Sequence, residues 1–100
     1  MVYQAEQLKE FSKNIMCKAG LSEAESRVFS DSLLKAEMRG VTSHGLTRLS
    51  TYAKRVELGL VASNVEPEII HDGGSILSID GKNGMGAWIG TRVMELCIQR

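Results

Sequence analysis

The chain predicts an α+β fold: three N-terminal helices, a short strand pair and a closing helix. Three observations carry that expectation. Apolar residues recur at three- and four-residue steps through the first sixty positions. A Ser-x-x-Glu box and well-spaced glycines mark where those periodic stretches start and stop. Two isoleucine-rich runs then flank an Asp-Gly-Gly turn.

The first helix is expected from about Gln4 to Ala19. Leu8, Phe11, Ile15 and Ala19 form its apolar face, and Glu6, Lys9, Glu10 and Lys13 take the other side. Gly20 follows as a C-terminal cap. Ser22-Glu23-Ala24-Glu25 is a capping box, in which the serine oxygen accepts an N–H three residues on and Glu25 reaches back. The helix it opens runs to about Arg39, with Ala24, Val28, Phe29, Leu33 and Ala36 facing inward and Gly40 as its stop. Two helices joined by Gly20-Leu21 make a helical hairpin.

Ser43 then reads as an N-cap, with a third helix from His44 to about Leu58 and Gly59 ending it. Leu46, Leu49, Ala53 and Val56 fall on one side of its wheel, and His44, Arg48, Tyr52 and Arg55 on another. Glu68–His71 and Ser75–Ile79 are the strand candidates, separated by Asp72-Gly73-Gly74. An isolated pair of strands is marginal in water, so these need a further sheet or a helix to lean on. Asp80–Gly86 turns the chain into the last helix, which includes Trp88, Ile89, Val93, Leu96 and Cys97. That helix runs to Arg100 without an evident stop, so the chain is expected to continue. The organisation is thus a helical segment, 1–60, and a sheet-bearing segment, 61–100.

Composition narrows the function classes. The chain has 100 residues, 43% of them hydrophobic, as expected of one globular domain at most. Twelve basic and twelve acidic residues balance, which removes the electrostatic reason to expect nucleic acid or an anionic membrane as partner. No apolar run has signal-peptide or membrane-spanning length. Cys17 and Cys97 sit among apolar neighbours and read as two buried thiols, which suits a reducing cytoplasm.

The chemistry concentrates at Ser43-His44 and Arg48. Histidine exchanges protons near neutrality. An arginine one turn further on offers a planar fork for a carboxylate. Together they suit a 2-hydroxy or 2-keto acid, with Arg48 on the carboxylate and His44 facing the neighbouring hydroxyl or carbonyl. Tyr52 and Arg55 read equally as a structural pair. Gly81-x-x-Gly84-x-Gly86 reads as a tight strand-to-helix turn or as an anion cradle, and Lys82 as a solvated turn residue. His71 reads as a surface histidine. No third ligand stands at metal-binding spacing, so no metal is expected. A small helical module that binds a protein partner, without catalysis, is the alternative.

The run Ala36-Glu37-Met38-Arg39-Gly40-Val41-Thr42-Ser43-His44-Gly45-Leu46-Thr47-Arg48, followed by Tyr52, Arg55 and Gly59, resembles the N-terminal signature of the malate/L-lactate dehydrogenase family. Asp80-Gly81-x-Asn83-Gly84-x-Gly86 resembles a second motif of that family. The resemblance implies part of a larger α/β fold that is not a Rossmann fold, in which 61–100 begin a sheet-containing cofactor domain. It implies a homodimer, and hydride transfer between NAD or NADP and a 2-hydroxy/2-keto acid such as malate or lactate. His44 would be the acid/base candidate, Ser43 would orient it and contact substrate, and Arg48 and Tyr52 would bind substrate. The residues that bind the cofactor stay unassigned. A further histidine motif and a lysine of the family, which also have claims to the proton-transfer role, have no counterpart in these hundred residues.

Overall fold

Ala5–Ala19 (α1) and Glu23–Met38 (α2) pack together as the expected hairpin, and the other elements are laid against it. The computed structural model describes residues 2–100. After α2 come two turns of 3₁₀-helix, Thr42–His44 and Leu46–Arg48, which lead into Leu49–Glu57 (α3). Glu68–Asp72 (β1) and Leu77–Asp80 (β2) follow, then Gly86–Ile98 (α4). α3 lies on α1, and α4 crosses α2. The α+β class and the order of elements agree with the sequence.

The helix ends follow from local chemistry. Ser22 Oγ accepts the Glu25 N–H at 3.1 Å, and Glu25 Oε1 accepts the Ser22 N–H at 3.0 Å, so the capping box is complete. α2 stops in a Schellman turn. The Val41 N–H donates to Ala36 O at 2.9 Å and the Gly40 N–H to Glu37 O at 3.1 Å, with Gly40 at φ +80°. Gly20 ends α1 in the same way, with the Leu21 N–H on Met16 O.

The core joins Met16 of α1, Phe29, Leu33 and Leu34 of α2, and Leu49, Ala53 and Val56 of α3, with Leu21 and Met85 from the connections. Burying side chains such as Leu49 or Val56 contributes roughly 1.5–3 kcal/mol each. The inward face of α1 is rotated from the expected one. Phe11 is 58% exposed, while Ser12 is wholly buried beside Met16. Ser12 tolerates burial because its hydroxyl donates to Leu8 O at 2.8 Å, leaving no orphan donor. On α2, Ala24 is exposed and Leu34 takes a core place.

β1 and β2 pair antiparallel, with Ile69 opposite Ile79 and an irregularity between Ile69 and His71. The turn is tied by the Gly73 N–H on Ile76 O and the Gly74 N–H on Asp72 Oδ1. Arg100 forks onto the Asp72 carboxylate and also donates to Gly74 O, fastening the end of α4 to this turn. Cys17 is half-buried and Cys97 exposed, so the expectation of two buried thiols fails for Cys97. α4 lays its Trp88 edge on the connector, where the indole N–H donates to Val65 O at 2.8 Å, and Cys97 falls on the uncovered side.

Candidate functional site

The third helix does not begin at His44. The His44 N–H donates to Val41 O and the Gly45 N–H to Thr42 O, three residues back, so this stretch is a 3₁₀ turn. Gly45 then breaks the helical path, at φ −98° and ψ −142°, and the regular α-helix starts only at Leu49. Ser43 therefore caps no helix. The Leu46 N–H, which an N-cap side chain would serve, goes instead to Glu37 Oε1 of α2 at 2.9 Å. Gly45 is buried against that same side chain, and a Cβ there would collide with the Glu37 carboxylate.

The corner is closed by its own hydrogen bonds. Thr47 Oγ1 donates to Thr42 O at 3.0 Å, and Arg48 Nε donates to Ser43 O at 2.8 Å. Ser43 Oγ lies 2.9 Å from His44 Nδ1, and which atom donates depends on the imidazole tautomer. The other ring nitrogen, Nε2, has no hydrogen bond among the described residues. His44 is exposed.

The stripe of four polar residues is only partly realised. Tyr52 is half-buried, with its ring edge-on to Phe29 at 5.4 Å between centroids, and the Arg55 guanidinium lies 5.4 Å from the Tyr52 ring centre. His44 and Tyr52 line one hollow of about 290 Å³ between α2, the corner and the start of α4. Arg48 is not part of that lining, since its side chain folds back to Ser43 O. Its two terminal nitrogens make no hydrogen bond or ion pair among the described residues. Ser43 touches the hollow only through His44.

Sequence reasoning missed the rest of the lining. Met85, Gly86 and Ala87 border the same hollow as His44 and Tyr52, together with Phe29, Leu33 and Ala36 of α2. The two motifs singled out in the sequence thus meet at one place, although α4 gives no local sign that it docks on α2.

The glycine loop itself is a fastener. The Lys82 N–H is taken by Asp80 Oδ1 at 2.8 Å and the Gly84 N–H by Gly81 O at 3.0 Å. Asn83 O accepts the Ala62 N–H, and Asn83 Nδ2 donates to Leu60 O. Gly84 is required by close approach, because a Cβ there would stand 2.5 Å from Val65 Cγ2. The Lys82 and Gly84 N–H groups thus serve the turn itself. Lys82 pairs with Glu68 at 2.7 Å, and the exposed His71 lies in β1. Among the described residues no three His, Cys, Asp or Glu side chains gather as a metal site, and no helix is long and apolar enough to cross a membrane.

Comparison with known proteins adds four findings. A family model described as malate/L-lactate dehydrogenase matches residues 3–100. A malate dehydrogenase of Pyrococcus horikoshii is 34% identical over 95% of this chain, and the match covers 26% of that protein. Its solved counterpart, titled as the malate dehydrogenase of Pyrococcus horikoshii OT3, superposes with a TM-score of 0.94 at 32% identity, covering 99% of this chain and 28% of the other. A ureidoglycolate dehydrogenase (NAD(+)) of Escherichia coli K12 is 35% identical over 68% of this chain and 19% of its own length. The chain therefore spans less than a third of the length of these relatives.

Proposed function

Since the chain belongs to the malate/L-lactate dehydrogenase family, we propose that it supplies the His44 corner of an oxidoreductase acting between NAD or NADP and a 2-hydroxy/2-keto acid. The observation that carries this reading is the state of His44. Its Nδ1 is engaged by Ser43, its Nε2 makes no hydrogen bond among the described residues, and the residue lines a hollow shared with Tyr52.

In this reading His44 Nε2 takes the hydroxyl proton of a 2-hydroxy acid as the C2–H bond breaks, and returns it in the reverse direction. Ser43 holds the imidazole in one orientation and reaches substrate beside it. Arg48 offers its two free terminal nitrogens to the carboxylate, a bidentate contact suited to guanidinium. Its tether to Ser43 O holds that side chain at the corner. Tyr52, braced by Phe29 and Arg55, borders the space that substrate would occupy. The nicotinamide group would accept or supply the hydride. The hollow fits the flat ring end of such a cofactor, with apolar walls from Phe29, Leu33 and Met85 and open space at Gly86. At about 290 Å³ it lies at the small end of ligand pockets and has no room for a whole dinucleotide.

Residues 1–60 act as the helical cap that carries the corner, and 61–100 begin the cofactor domain. The exposed side chains of Ile69, Ile70 and Ile76 on the hairpin, and of Met94 and Ile98 on α4, suit packing onto a larger body. A homodimer in the cytoplasm completes the reading, and the free thiols Cys17 and Cys97 fit a reducing compartment.

The test is an assay of the complete polypeptide carrying these residues against malate, lactate, ureidoglycolate and sulfolactate and their keto partners, with each nicotinamide cofactor. Turnover of at least one acid is expected. Absence of turnover with every pair would overturn the proposal.

A further inference from the structure

Beyond the Schellman bond of its first residue, from the Val41 N–H to Ala36 O, the corner that bears His44 makes one hydrogen bond to α2 among the described residues, from the Leu46 N–H to Glu37 Oε1 at 2.9 Å. Its remaining hydrogen bonds run among residues 41–48 and into the start of α3. Neither 3₁₀ turn has a side-chain cap of its own, and neither does α3. Glu37 supplies that cap from another helix. Its carboxylate also lies where the favourable end of the Leu46–Glu57 helical run needs negative charge.

Contact reinforces the hydrogen bond. Gly45 is buried with its α-carbon against Glu37, and a Cβ at Gly45 would meet Glu37 Cδ at 3.1 Å and Cβ at 3.2 Å as well as the carboxylate oxygen. Glu37 therefore fills the space directly behind the residue that follows His44. The neighbouring bonds that aim the imidazole are local: Ser43 Oγ to His44 Nδ1, and Arg48 Nε to Ser43 O. They orient His44 relative to the corner, whose first residue is tied to α2 by the Schellman turn and whose later residues are tied there by Glu37.

We propose that Glu37 is a positioning residue for His44, acting through the Leu46 N–H and the Gly45 contact. It touches no substrate. This rests on the reading of His44 as the acid/base, and its test separates the two.

The variants are Glu37→Gln, whose amide oxygen still accepts the Leu46 N–H, Glu37→Ala, which does not, and Gly45→Ala, which displaces the carboxylate without removing its charge. The first readout is nuclear magnetic resonance of the 100-residue chain. Leu46 amide exchange should quicken by about tenfold or more in Glu37→Ala and Gly45→Ala and change little in Glu37→Gln. The His44 ring signals should shift or broaden in Glu37→Ala and Gly45→Ala and stay close to the parent's in Glu37→Gln. The second readout is kinetic, in the complete polypeptide. kcat should fall about tenfold or more in Glu37→Ala, with KM for the acid nearly unchanged and Glu37→Gln restoring most of the loss. Unaltered Leu46 exchange and His44 shifts in Glu37→Ala would overturn the proposal. If Glu37→Ala does not fold, Gly45→Ala against Glu37→Gln decides, and equal behaviour of those two overturns it. If the resonance changes occur but His44→Ala retains full turnover, the positioning holds and the acid/base reading of His44 is what fails.

Discussion

Glu25 Oε1 accepts the backbone N–H of Asn64 at 2.8 Å, the same oxygen that closes the Ser22 capping box. One buried carboxylate thus joins the start of α2 to the connector before the sheet. Glu25 is 1% exposed, so removing it strands two N–H groups. Glu25→Ala is expected to lower stability by roughly 2–4 kcal/mol, measured by urea denaturation, because two buried hydrogen bonds are lost there, one of them half of the capping box. A change below about 0.5 kcal/mol, the usual size for an uninvolved surface site, would show that the bridge is not formed in solution.

Acid should weaken the fold through two aspartates. The Lys35 ammonium, hydrogen-bonded to Asp31, holds its carboxyl below the ordinary 3.8 despite partial burial, and Lys9 adds to this. The Gly74 N–H does the same for Asp72, with Arg100 as second contributor. A carboxyl lowered in the folded state stabilises above its unfolded pKa, and that contribution is lost as pH falls through the folded one. The urea midpoint should therefore decline below about pH 4, near the carboxylate reference value. Asp31→Asn together with Asp72→Asn should flatten that decline. An unchanged slope in the double variant would assign acid sensitivity elsewhere. Both groups are well exposed, so the effect should be modest and shrink with salt.

The two thiols should differ. Cys97 is exposed on α4 and Cys17 is half-buried in α1. Under native conditions Cys97 should alkylate first, with peptide mass spectrometry resolving the two sites. Equal rates would mean that α1 opens as readily as the surface reacts.

Much of this architecture is legible locally, and the exceptions share one cause. Gly20, Gly40 and the Ser22–Glu25 box announce themselves because each is satisfied by neighbours within a few residues. The Leu49, Ala53, Val56 stripe is equally legible from its period. The His44 corner is not. Ser43 has the chemistry of an N-cap, but the donor it would serve is taken by Glu37, nine residues upstream on another helix. Ser12 in place of Phe11 is a tertiary choice too, made where α1 meets α2 and α3. The presence of Met85, Gly86 and Ala87 in the hollow that His44 lines depends on α4 docking on α2, which no local pattern encodes.

Arg48 has a divided task, with Nε on Ser43 O and its terminal nitrogens free. Arg48→Ala in the complete polypeptide should raise KM for the acid by about ten- to a hundredfold, the worth of a charge-assisted contact. Arg48→Lys should rescue little of it, since an ammonium lacks the fork. A variant with unchanged KM across the acids tested would remove Arg48 from the substrate site.

The most direct measurement is kcat of His44→Ala in the complete polypeptide, with the best acid and cofactor of the panel. If His44 moves the proton, kcat should fall by about 10²- to 10⁴-fold, the usual contribution of a general acid or base. Folding, followed by circular dichroism, should be preserved because His44 is exposed and outside the core. A folded His44→Ala variant with undiminished kcat would contradict the assignment.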